Sequence, residues 1–168
     1  WNDARIQATN PGLNLPDREI FVVARQDSSG TTFALTNHLS AVSLQWRDRG
    51  PGVGKVVAWP DTAMIVRGNE GVASRIKLSV GSIGYIEYSF AKHLGLPTAH
   101  LENKEGRFVA PSDAVGETTL AANLSRIPAN LRVFIPDPDG AESYPIISFT
   151  WLLLRERNAD PAKAAALK

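Results

Sequence analysis

The sequence contains no cysteine and no long apolar run, and it carries little excess charge of either sign. Without cysteine there is no disulfide framework, no thiolate metal site and no cysteine nucleophile. No stretch approaches the roughly 18 consecutive apolar residues of a membrane helix, so we expect no direct membrane insertion. The formal net charge is +1, whereas nucleic acid or an anionic membrane favours a basic stripe. Any affinity for anions must therefore come from a local site.

The composition is that of one globular domain. The 168 residues are 43% hydrophobic and 21% charged, which is ordinary for a chain with a buried core. The sequence begins at Trp1 without a methionine or a signal-peptide pattern. Asp160 and Pro161 are typical of a helix start, and we expect that residues continuing this helix are missing. A short frayed tail is the alternative.

Strand patterns alternate with helix patterns along the chain, which predicts the α/β class. Strands are predicted at residues 19–24, 55–59, 82–87 and 145–154, with a hairpin at 98–110 and a rigid turn at 136–140. Helices are predicted up to residue 9, from 31 and 68 onward, and at 88–94 and 112–124. Apolar spacing predicts one apolar face on each of two helices. On the helix from residue 31 the face consists of Leu35, Leu39, Val42 and Trp46, and on the helix from residue 68 it consists of Val72, Ile76 and Val80.

The turn after the strand at 19–24 holds the most informative residues. Ligands of open α/β sheets bind at the carboxyl ends of the strands, where this turn lies. The following helix start offers unpartnered backbone N–H groups and a favourable dipole. Gly30 allows close approach of the backbone, while Ser29 and Thr31 add hydroxyl donors. Arg25 can place two parallel N–H donors on one oxyanion. We expect Asp27 to orient Arg25, because a carboxylate facing the anion would repel it.

The same turn also fits an ordinary helix cap. Asp27 or Ser28 could cap the helix while Arg25 remains solvated, since any strand–turn–helix junction favours serine, glycine and threonine. The spacing alone leaves both interpretations open.

A family resemblance extends well beyond this turn. Arg25-x-Asp27-x-Ser29-Gly30-Thr31 at a strand end resembles the anion loop of the periplasmic phosphate-binding proteins of bacterial ABC importers. Further blocks resemble the same family in the same order over nearly the whole chain: Trp1-Asn2-Asp3, Asn10-Pro11-Gly12, Leu15-Pro16, Gly68-Asn69-Glu70-Gly71-Val72, Gly81-Ser82-Ile83-Gly84-Tyr85-Ile86-Glu87-Tyr88 and Tyr144-Pro145-Ile146. Two departures affect the expected loop conformation: Ser28 stands where many members have glycine, and residues 60–67 replace a glycine-rich stretch.

The resemblance implies a type II periplasmic-binding-protein fold, with a mixed sheet flanked by helices. This chain would be a single domain, the second lobe, without the first lobe and the closing C-terminal helices. Two lobes would close like a hinge on inorganic phosphate, for uptake through a membrane ABC permease. The expected phosphate contacts are Arg25, Ser29, Gly30 and Thr31, with Asp27 supporting the arginine. No catalysis, cofactor or metal is implied, and the expected location is periplasmic or secreted. An aspartate of the first lobe would accept the proton of phosphate and so reject sulfate.

Other motifs are weak. The stretch Gly50-Pro51-Gly52-Val53-Gly54-Lys55 lacks the first glycine and the final Ser or Thr of a nucleotide phosphate loop. The three histidines have no partner at metal-ligand spacing and are expected at the surface or at caps. Two other functions stay open: a surface or interaction module that keeps the lobe without transport, and a phosphoester hydrolase that reuses the anion cradle.

Overall fold

The computed structural model describes residues 1–154, 157 and 159–166. The helices are α1 Ala4–Thr9, α2 Gly30–Val42, α3 Leu44–Arg49, α4 Gly68–Leu78, α5 Tyr88–Leu94, α6 Asp113–Ala122 and α7 Pro161–Ala166, with a 3₁₀ turn at Leu124–Arg126. The strands are β1 Phe21–Arg25, β2 Met64–Val66, β3 Ser82–Gly84, β4 Leu101–Glu102 and β5 Phe108–Val109. None of the helices in these described ranges is long and apolar enough to span a membrane.

The main sheet is parallel and has the order β2-β1-β3, so that β1 is central. Val23 is in register with Met64 on one side and with Gly84 on the other. The antiparallel pair β4–β5 forms a separate hairpin, inside the range predicted from the sequence. The α/β class is confirmed, with the parallel and antiparallel pairings divided between two sheets.

The core lies between this sheet and α4. Val23, Val72 and Ala73 are fully buried there. Gly84 lets α4 approach closely, since a Cβ at this position would lie 3.0 Å from Val72 Cγ1. Val72 faces the core as its spacing predicted. Val80 does not, because α4 ends at Leu78 and Val80 is 75% exposed.

The predicted strand at 55–59 is wrong, and β2 forms instead at Met64–Val66. The backbone of the predicted segment is used elsewhere, since the carbonyl of Lys55 accepts the N–H of Ser29 at 2.9 Å. The indole of Trp59 stands between the rings of Trp46 and Tyr85, with centroid distances of 6.2 and 5.8 Å. This segment is therefore a loop packed against the start of α2.

The predicted apolar face of the second helix is also wrong in part. The helix ends at Val42, and Ser43 begins a new helix by accepting the N–H of Trp46 on its hydroxyl at 3.1 Å. The residues that α2 buries are Thr32, Thr36 and His38. His38 was expected at the surface or at a cap, but it is buried. That burial lowers the pKa of its imidazole, against the opposing charge of Asp137.

The predicted strand at 145–154 pairs with no strand in the part of the chain that the structure describes. Leu152 and Leu153 are 88% and 92% exposed. Trp151 is held by side-chain contacts instead: its Nε1 donates to the carbonyl of Leu131 at 2.6 Å, and its ring meets Phe134 edge-on. The helix start at Pro161 is confirmed, since Asp160 Oδ1 accepts the N–H of Ala162 at 2.9 Å.

Candidate functional site

All three parallel strands end at one edge of the main sheet. Arg25 is the last residue of β1, Gly68 and Asn69 follow β2, and Tyr85 follows β3. The turn from residue 26 to 29 then leads into α2. This edge therefore collects every site residue predicted from the sequence, together with three that were not.

Ser29 caps α2 with its side chain. Its hydroxyl oxygen accepts the N–H of Thr32 at 3.2 Å, and its own N–H donates to the carbonyl of Lys55. Because its oxygen acts as the acceptor in the cap, the hydroxyl proton remains available to a ligand. The cap interpretation and the anion interpretation of this serine are therefore compatible.

The first two residues of α2 present unused backbone donors. The N–H groups of Gly30 and Thr31 stand at helix positions that have no intrahelical acceptor, and the structure gives them no other acceptor among the described residues. A Cβ built on Gly30 would meet nothing within 4 Å. Gly30 is therefore exposed, with room beside its Cα, and the helix dipole favours negative charge at this end of α2.

The guanidinium of Arg25 is nearly buried, with 9% of the side chain exposed. Its Nε and Nη2 donate to the two oxygens of Asp27 at 2.8 and 2.5 Å, and its Nη1 donates to Asn69 Oδ1 at 3.1 Å. A guanidinium has five N–H donors. Three have these acceptors, so two remain without an acceptor in the described part of the chain.

Both oxygens of Asp27 accept hydrogen bonds. Besides the donors of Arg25, Asp27 accepts the N–H of Gly68 on Oδ1 at 3.1 Å. The hydrogen bonds from Arg25 and then from Gly68 hold the pKa of this carboxyl well below its ordinary range. In turn, the same contact raises the pKa of Arg25. The pair therefore stays ionised, and the carboxylate is turned to the arginine.

Tyr85 ties β1 to α2. Its hydroxyl accepts the backbone N–H of Arg25 at 3.0 Å and lies 2.8 Å from Thr32 Oγ1. Sequence reasoning missed Tyr85, Gly68 and Asn69 as members of the site. The available signal was topological, since residues that follow neighbouring parallel strands meet at the same edge of the sheet.

No metal site is evident in this arrangement. In the described residues, no group of three or more His, Cys, Asp or Glu side chains is placed to hold a metal ion. What the edge offers is a set of donors: two arginine N–H groups, two backbone N–H groups and two hydroxyls, those of Ser29 and Thr31. Such a set suits an oxyanion.

A family model described as PBP superfamily domain matches residues 1–168. The chain belongs to this family. The PBP superfamily assignment agrees with the parallel sheet flanked by helices, and the fold is consistent with one lobe of such a protein.

Curated relatives cover the same range. The chain is 43% identical to the phosphate-binding protein PstS of Pasteurella multocida over 162 residues, which are 96% of this chain and 46% of the relative. It is 39% identical to the protein of the same name from Xylella fastidiosa, over 99% of this chain and 45% of the relative. For the protein of that name from Methanocaldococcus jannaschii, the identity is 37% over all of this chain and 47% of the relative. The chain spans about half the length of the curated relatives it matches.

Proposed function

We propose that this chain is the second lobe of a phosphate-binding protein that serves uptake through a membrane ABC permease, in the periplasm or secreted. One observation carries the proposal: the turn that leads into α2 holds a nearly buried guanidinium, two of whose N–H groups have no acceptor among the described residues. The names of the relatives, phosphate-binding protein PstS, support phosphate as the oxyanion.

In this proposal the anion sits against the start of α2. Arg25 supplies two parallel charge-assisted hydrogen bonds, which are the strong kind. Gly30 and Thr31 supply backbone N–H groups, and Ser29 and Thr31 supply hydroxyls. Asp27 keeps the guanidinium in place and does not face the ligand.

The site favours binding without turnover. Asp27 is the carboxylate in the loop, and Arg25 and Gly68 occupy its oxygens. With its pKa held low by these donors, it is a poor general base, since an effective base has a pKa near the working pH. This argument favours a binding protein over a phosphoester hydrolase, which needs a base or nucleophile beside the anion.

The deciding experiment is calorimetry of the protein, with its natural flanking sequence, against inorganic phosphate, repeated in excess sulfate. We expect saturable binding of phosphate at one site. The N–H and hydroxyl groups of this half of the site can donate to either anion, so under this proposal rejection of sulfate would come from a carboxylate acceptor in the other lobe. Absence of phosphate binding would favour the interaction module, and turnover of an aryl phosphate would favour the hydrolase.

Arg25→Ala tests the site directly. Loss of two charge-assisted hydrogen bonds, at about 1.5–3 kcal/mol each, predicts a phosphate affinity at least about 100-fold weaker. Arg25→Lys keeps the charge without the planar fork, so its phosphate affinity should lie between those of the wild type and Arg25→Ala. Arg5→Ala is the matched control: Arg5 also pairs with an aspartate two positions away, but its side chain is 90% exposed. An unchanged dissociation constant for Arg25→Ala would refute the assignment.

A further inference from the structure

The first two residues of α4 hold both members of the Arg25–Asp27 pair. The N–H of Gly68 donates to Asp27, and the side chain of Asn69 accepts from Arg25. Asn69 is itself buried, with 9% exposed. The start of α4 therefore contacts both residues of the ion pair.

The orientation of the Asn69 amide follows from its partner. A guanidinium only donates hydrogen bonds, so the atom that faces Nη1 of Arg25 must be the carbonyl oxygen Oδ1. This contact uses one of the two N–H groups on Nη1. Asp27 takes the edge formed by Nε and Nη2. The N–H groups that remain are therefore one on Nη1 and one on Nη2.

With Asp27 as its only partner, the guanidinium would keep one freedom of movement. A group held along a single edge can still tilt about that edge, whereas a third contact on Nη1 fixes its plane. We propose that Asn69 is a positioning residue, which fixes the plane of Arg25 so that its two remaining N–H groups stay available to the anion. The proposal rests on the phosphate function above, because it assigns Asn69 an effect on that affinity through Arg25.

If Asn69 had a purely structural role, α4 would need its amide to stay docked on the sheet. The helix α4 is already held on the sheet by Val72 and Ala73, which are fully buried. Loss of the Asn69 amide should therefore leave α4 docked and release mainly the arginine. Since an arginine ordered before binding loses less freedom when the anion arrives, its release should lower affinity.

The test is a double-mutant cycle with Asn69→Ala and Arg25→Ala, titrated with inorganic phosphate up to millimolar concentration in the protein with its natural flanking sequence. Asn69→Ala alone is expected to weaken phosphate binding up to about 10-fold, which is the cost of ordering one long side chain when the anion binds. In the Arg25→Ala background, Asn69→Ala should change nothing further. Asn10→Ala serves as control, because Asn10 also bonds through its amide, to the carbonyl of Ile6, and lies outside this site.

A ligand-free readout separates this inference from the proposed function. We expect the ¹⁵N signals of Arg25 Nη1 and Nη2 to be separate and sharp in the wild type without anion. In Asn69→Ala the Nη1 signal should shift and broaden, because Nη1 loses its acceptor while Asp27 still holds Nε and Nη2. Wild-type protein that binds no phosphate would overturn the proposed function, while the spectra would still decide whether Asn69 holds Arg25. The inference is overturned by unchanged spectra, by an unchanged dissociation constant in Asn69→Ala, or by an equal loss in the Arg25→Ala background.

Discussion

At the scale of single residues, Gly30 is the position where stability and binding should diverge. Its backbone angle is not in the left-handed region, and a Cβ would meet nothing in the free protein. Gly30→Ala should therefore fold normally and gain up to about 0.4–1 kcal/mol of unfolding free energy, because the unfolded chain loses freedom. The added methyl would stand where the anion approaches the N–H groups of α2. We expect Gly30→Ala to unfold at a higher urea concentration than the wild type and, by calorimetry, to bind phosphate more weakly.

Gly116→Ala is the matched control for this variant. Gly116 also lies in a helix, α6, and a Cβ there likewise meets nothing within 4 Å. It should show the same gain in stability with no change in phosphate affinity. Equal affinities in the two variants would mean that the anion does not approach Gly30.

The residue pattern made part of this site predictable. Arg25, Asp27, Ser29, Gly30 and Thr31 lie within seven positions, so the strand–turn–helix pattern sufficed to place them together. The contribution of Asn69 and Tyr85 depends on where β2 and β3 end and on the order of strands. Two separate pairings fix that order, and neither can be read from the local sequence.

At the scale of elements, the close contact between α4 and the sheet depends on Gly84. A Cβ at this position would lie 2.9 Å from the carbonyl oxygen of Val23 and 3.0 Å from both Ile76 Cδ1 and Val72 Cγ1. Gly84→Ala must therefore push α4 away from β1 and β3, which costs about 1–3 kcal/mol as overpacking. Urea unfolding should show a lower midpoint than the wild type.

The same displacement should reach the site. The helix α4 carries Gly68 and Asn69, so a shifted α4 weakens their contacts with Asp27 and Arg25, and phosphate affinity should fall with stability. Gly116→Ala again provides the comparison, because it adds the same methyl without a clash. A wild-type midpoint in Gly84→Ala would contradict the packing described here.

Helices were easier to predict than strands for a physical reason. Local caps mark helix ends: Asp3 and Ser112 accept N–H groups at the starts of α1 and α6, and Gly95 ends α5 with a φ of 61°. A strand depends on a partner as well as on its own residues. Residues 55–59 and 145–154 have strand-like sequences. In the first segment, a backbone carbonyl accepts the N–H of Ser29 instead of pairing with a strand. The second segment pairs with no strand among the described residues.

At the scale of the whole molecule, the main sheet is covered unequally. The helix α4 packs on the face of Val23, whereas Val22, Ile65 and Ile83 share the other face and are each 40–42% exposed. Parallel sheets are usually covered on both faces. The polypeptide of 168 residues thus leaves apolar surface open on one side of the sheet that carries the candidate site.

The site edge is incomplete in a similar way, and this gives the last prediction. Its groups are donors from one side only, so under the proposed function a second lobe would supply the remaining contacts. Each missing charge-assisted hydrogen bond is worth about 1.5–3 kcal/mol, and several together amount to decades of affinity. The isolated 168-residue polypeptide should therefore bind phosphate at least about 100-fold more weakly than the protein with its natural flanking sequence. Calorimetry of both, after circular dichroism has shown the shorter one to be folded, measures the difference. Micromolar phosphate binding by the folded 168-residue polypeptide would mean that Arg25 and the start of α2 suffice, and the half-site interpretation would be wrong.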